Sequence, residues 1–192
     1  MVGDQCPGQP KITLADFAAS LQGPLASAAV GLSRTMTDAK KFVVHQDPVW
    51  RNRSNFIIHS ELPERDRPRR FEQLFAKQLG EDRFEICCIP FLVFDIALGD
   101  VVVTSPRGAY QYVFEQVVER SGHYVFRVWF GESIHPRNEI AEELTELGSL
   151  LEWSSENLLA IDAVDQEHAQ LVADCLAEQE KAGHLIYETG QS

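Results

Sequence analysis

The last third of the chain alternates strand-length and helix-length apolar patterns in one order, and that order constrains the fold more than any other feature. Residues 124–130 have strand composition. Residues 136–147 read as a helix, with Pro136 at the start and Gly148 just past the end. Residues 150–153 and 158–163 follow as strands around a turn at Ser154, Ser155 and Glu156. Asp165 then caps a second helix that runs to Lys181 and is ended by Gly183, and residues 184–188 close as a strand. The expected unit over residues 121–192 is therefore β-α-β-β-α-β, the split βαβ order of ferredoxin-like folds. Ile140, Leu144 and Leu147 in the first helix, with Leu171, Val172, Cys175 and Leu176 in the second, give each an apolar face for the sheet.

Upstream the period shortens. Residues 56–59 and 71–77 look like strands on either side of a charged, proline-rich loop at 61–70. Short apolar runs at 84–89, 90–94, 101–104 and 110–118 are separated by turn signals at Leu98-Gly99-Asp100 and Pro106-Arg107-Gly108. Such a series predicts a curled antiparallel sheet, barrel-like, over residues 42–120. Residues 1–41 form a third segment, helical, with Leu14, Phe17, Leu21, Leu25, Ala28 and Leu32 along one stripe. That stripe must be covered, by the body of the protein or by a second copy in a homodimer. The fold class expected is α+β: N-terminal helices, then an antiparallel barrel-like β unit, then the ferredoxin-like unit.

Charge is segregated along the chain. Residues 131–192 hold two basic residues, Arg137 and Lys181, against fourteen acidic ones, so this segment carries the whole net charge of −12. The acidic residues fall largely on the solvent side of the two helices. Such a field opposes nucleic-acid and anionic-lipid binding and favours a basic protein partner. Glu139, Glu142, Glu143, Glu146, Asp174 and Glu178, with Arg127 in the preceding strand, are the candidate binding residues. Apolar runs are too short for a membrane-spanning helix and no basic leader precedes the first one, so a cytoplasmic location is expected.

Motifs that would carry chemistry are sparse. Cys6, Cys87, Cys88 and Cys175 make no CxxC pair, and the six histidines have no chelating spacing, so neither a disulfide framework nor a metal site is expected. Phosphate-binding glycine loops are missing, and no cofactor is implied. The candidate catalytic group is Asp100, Ser121 and His123, at polar turns flanking hydrophobic strands, where a serine, a histidine and a carboxylate could form a nucleophilic triad. The alternative is structural: Asp100 and Ser121 hold turns through backbone hydrogen bonds, while His123 and Arg127 pair with carboxylates.

Phe71-Glu72-Gln73-Leu74-Phe75, Ile89-Pro90-Phe91, Ala97-Leu98-Gly99-Asp100-Val101-Val102, Ser121-Gly122-His123, Phe126-Arg127-Val128 and Leu158-Leu159-Ala160-Ile161-Asp162 form a set. Through these motifs residues 55–188 resemble a bacterial, largely actinobacterial family defined as a domain of unknown function. The resemblance implies no activity. The sequence therefore points to a non-catalytic binding protein, such as an immunity- or antitoxin-type inhibitor that masks a basic partner. A small-molecule-sensing domain and a hydrolase are the alternatives.

Overall fold

Period-two burial and turn glycines organise the first half of the protein, seen here in a computed structural model that describes residues 42–63, 70–131 and 136–190. Six strands form one sheet: β1 (Phe42–Val44), β2 (Phe56–Leu62), β3 (Arg70–Gln78), β4 (Arg83–Ile86), β5 (Val101–Arg107) and β6 (Tyr110–Glu119). β3 pairs β2 along one edge and, on its other edge, β1 through Phe71–Gln73 and β4 through Ala76–Gln78. The pairings β3–β2–β6–β5–β4–β3 close on themselves, so the sheet is a ring of five strands with β1 added in parallel. Closure at β2–β6 rests on the register pair His59 and Val113. Three register shifts in the β5–β6 hairpin supply the bending that closure requires. Ile58, Leu74, Ala76, Phe84, Ile86 and Val102 fill the interior.

The second half follows the β-α-β-β-α-β order expected of it: β7 (Tyr124–Trp129), α1 (Arg137–Glu146), β8 (Leu150–Trp153), β9 (Leu158–Ala163), α2 (Gln166–Lys181) and β10 (Ile186–Thr189). Its strands lie in the order β10-β7-β9-β8, all antiparallel to their neighbours. Phe126, Val128, Leu159 and Ile161 point to one face, where Ile140 and Leu144 of α1 and Val172 and Leu176 of α2 cover them. Asp165 caps α2 by accepting from the His168 amide at 2.8 Å. The molecule is thus α+β and rich in sheet. Among the described residues no helix is long and apolar enough to cross a membrane. The N-terminal helices expected over residues 1–41 lie outside the described residues.

Three boundaries differ from the sequence reading. The charged loop at 61–70 is shorter at its start, because β2 runs on through Glu61 and Leu62 in register with Phe71 and Arg70. Pro106 and Arg107 belong to β5, and the turn falls at Gly108. Most consequentially, the apolar run after Ile86 is not strand. Residues 87–100 have no regular structure, yet Cys87, Cys88, Ile89, Phe91, Ile96, Ala97 and Leu98 are buried. This segment lies between the two halves: Ile89, Phe91 and Ala97 pack on Val125 of β7 and Ala160 of β9, the face of the second sheet opposite its helices.

Gly99 ends that segment with φ +81°, and a Cβ there would sit 3.1 Å from Ser121 Cβ and 3.4 Å from the Trp50 ring. Gly108 has φ +62° with open space around it. Gly108→Ala should therefore cost only left-handed strain, about 1–2 kcal/mol. Gly99→Ala should lose roughly 1–3 kcal/mol more through overpacking. Thermal melting of the two variants side by side checks the ranking.

Candidate functional site

A buried segment without a ladder must find other partners for its backbone, and side chains from both sheets provide them. Glu72 of β3 accepts from the amides of Phe91 (2.6 Å), Leu92 (2.8 Å) and Val93 (3.1 Å). Glu152 of β8 accepts from Ile89 at 2.8 Å and Val49 at 3.0 Å. Pro90, which has no N–H, sits where the segment passes from one carboxylate to the other. His45, one residue after β1, lies between the two: Nδ1 is 2.6 Å from Glu152 and Nε2 is 3.1 Å from Glu72. The three side chains are at most 2% exposed.

Arg127 of β7 treats the carbonyls as the glutamates treat the amides. It donates from Nε to Pro90 O at 3.4 Å and from Nη2 to Val93 O, with its guanidinium over the Phe94 ring. Among the described residues Nη1 has no hydrogen-bond partner, and it lies 3.7 Å from Glu188. At 1% exposure Arg127 does not belong to the outer acidic face to which the sequence reading joined it. His45, Glu72 and Glu152 were not singled out from the sequence as site residues. One signal was there: Glu72 shares strand parity with Leu74 and Ala76, which point into the ring.

Asp100, Ser121 and His123 meet at one corner of the same junction. Asp100 Oδ2 accepts from the Ala97 amide at 3.0 Å, and Oδ1 accepts from the Ser121 amide at 2.7 Å and its hydroxyl at 3.1 Å. Ser121 Oγ in turn accepts from the His123 amide at 3.2 Å. The His123 ring faces Asp162 of β9, both of whose oxygens are 2.9 Å from Nδ1, and stands edge-on to Trp50. The hydrogen bond it donates to Asp162 holds the imidazole above its usual range, while burial pushes the Asp162 carboxyl up. The serine hydroxyl is thus directed at Asp100 and the imidazole at Asp162. Arg120 closes the corner with a hydrogen bond to Asp100 at 3.1 Å.

The outer face of the second half is formed by the two helices. Glu139, Glu142, Glu143 and Glu146 of α1 and Glu167, Asp174, Glu178 and Glu180 of α2 are all exposed. Gln179 of α2 donates to Glu143 of α1 at 3.4 Å, so the two rows adjoin. Their field reaches inward: Cys175 is pushed up to about 11, by partial burial first and then by Glu143 and Glu178. Burial, with Glu180 and Asp174 behind it, raises Tyr187 as well. Beside the start of α1 lies an open cleft of about 620 Å³ lined by Gln46, Arg137, Asn138, Trp153, Ser154, Ser155 and Glu156. Arg137 is directed at the β8–β9 turn, to Glu156 O and Asn157 Oδ1.

Residues 72–187 match the family described as "Domain of unknown function (DUF4265)". A solved structure titled "Novel crystal structure of a hypothetical protein from Neisseria gonorrhoeae" is similar in fold, with a TM-score of 0.60 at 16% identity, over 70% of this chain and 93% of that one. Among curated proteins nothing matches.

The buried carboxylates and the corner serine should respond very differently to removal. Glu72→Ala strands His45 and three amides at once and should destabilise by about 3–5 kcal/mol. Ser121→Ala removes one partly exposed hydroxyl and should cost about 1 kcal/mol. Urea unfolding of both variants measures the difference.

Proposed function

The chain belongs to the DUF4265 family, and from that premise we propose that it is a non-catalytic binding protein whose two-helix acidic face docks a basic protein partner, in the manner of an immunity- or antitoxin-type inhibitor. The observation that carries this reading is the adjoining rows of exposed carboxylates on α1 and α2, relieved only at their ends by Arg137 and Lys181. Helical faces of one sign steer an oppositely charged partner and accelerate encounter, with a steep dependence on ionic strength. The corner of Asp100, Ser121 and His123 supports the non-catalytic part, since the serine hydroxyl donates to Asp100 and the imidazole is directed at Asp162.

A second reading, small-molecule sensing, is favoured by the open cleft beside Trp153 rather than by the space between the sheets, which Ile89, Phe91, Ala97, Val125 and Ala160 fill. Its volume is in the range of small-ligand sites. A thermal shift across a metabolite panel that disappears in Trp153→Ala would favour sensing over docking.

The docking reading is tested by capture from a lysate of the source cells at low and high salt, using the native chain and a variant with Glu139, Glu142, Glu143 and Glu146 changed to lysine. A basic protein should be retained at low salt, released at high salt and missed by the variant. If no salt-sensitive partner is retained, or the variant retains the same one, the acidic face is only a solvated surface.

A further inference from the structure

His45 stands in an arrangement with a stricter protonation requirement than the packing around it. Its two ring nitrogens face different carboxylates, Glu152 at 2.6 Å and Glu72 at 3.1 Å. An ionised carboxylate only accepts hydrogen bonds, and a neutral imidazole has one N–H to give. A neutral His45 would therefore turn a lone pair toward one of two buried anions, whereas an imidazolium serves both. The ring also lies flat against Phe91, with centroids 4.1 Å apart and planes 11° from parallel, a placement that suits a cation on a π face.

We propose that His45 is a proton-operated latch between the two sheets. Doubly protonated, it ties Glu72 of β3 to Glu152 of β8. Loss of one proton loosens that seam together with the 87–100 segment, whose amides depend on the same two carboxylates.

The groups that face the latch are Glu72 from β3, Glu152 from β8 and Cys88 from the connecting segment, while Arg127 of β7 acts on Glu72. Burial alone would push His45 down, but Cys88, Glu152 and Glu72 outweigh it and hold the imidazole well above its ordinary 6.5. A basic group raised on folding contributes stability that is fully present below its unfolded value and disappears as pH climbs through its folded value. Burial likewise would raise Glu72, yet His45 and the Phe91 and Leu92 amides hold it below 4.5, so its contribution is lost as pH falls. The latch is closed between those limits and opens on the alkaline side. His123, also raised, titrates in the same direction, so the two histidines must be separated by experiment.

The test is imidazole ¹⁵N NMR and amide hydrogen exchange on the full chain from neutral into alkaline pH. Both His45 nitrogens should carry protons near neutrality. Above the His45 midpoint, protection at Val49, Ile89, Phe91, Leu92 and Val93 should fall about tenfold per pH unit beyond the intrinsic base-catalysed rise, the slope of one linked proton. The β7–β9 ladder should keep its protection. His123→Gln should leave this behaviour intact, and His45→Gln should abolish it. A singly protonated His45 near neutrality, or loss of protection spread evenly over both sheets, overturns the proposal, and both are read on the unsubstituted protein.

Discussion

Every other feature of the junction depends on a buried stretch of chain that has no secondary structure to satisfy it. An amide left unpaired in an apolar interior costs roughly 1–3 kcal/mol. Ile89, Phe91, Leu92, Val93 and Ala97 all donate to carboxylates, from Glu152, Glu72 and Asp100. Losing all five would cost an amount comparable to the roughly 5–15 kcal/mol that holds a typical domain folded. The carboxylates are thus a condition of the fold, not an addition to it. Because one comes from β3 and another from β8, meeting the segment's needs also joins the two sheets.

That arrangement creates a problem of its own. Two carboxylates taken out of water need countercharge as well as hydrogen bonds, since an unpaired buried charge costs several kcal/mol. His45 and Arg127 are the cations at hand, the first in contact with Glu72 and the second within its field. Arg127 meets the carbonyls that the carboxylates cannot, so amides and carbonyls of the same segment are held by opposite charges. Breaking any member leaves others stranded, and this explains why a chain would keep ionisable groups where apolar ones pack more cheaply.

Much of the architecture was legible because it rests on local signals. The order of the second half followed from Pro136, Gly148, Asp165 and Gly183 punctuating two amphipathic helices, and the strands at 71–77 and 101–104 from period-two patterns. The 87–100 segment was misread because its composition is that of a buried strand. Only tertiary pairing distinguishes an apolar run with ladder partners from one served by side chains. Glu72 and Glu152 were obscured for the same reason: a carboxylate in a half-polar strand looks like surface until His45, 27 or 107 residues away, is brought beside it. Asp100, Ser121 and His123 sit at turns that a short stretch of sequence displays, but Asp162, which accepts from the imidazole, comes from a strand that no short motif connects to them.

The acids of the last third divide by face of one sheet. Glu152 of β8 and Asp162 of β9 point to the junction, where His45 and His123 meet them. The helices cover the opposite face, and their carboxylates reach solvent. Charge that is paired at the junction exerts little field outside, so the negative potential of this half comes mainly from α1 and α2. A partner drawn to that potential arrives on the side away from the junction. Binding there and opening of the latch are therefore coupled only through the strands that separate them. Those strands are β7 and β9, with Val128, Leu159 and Ile161 wholly buried, so any coupling between the two faces has to pass through a close-packed layer.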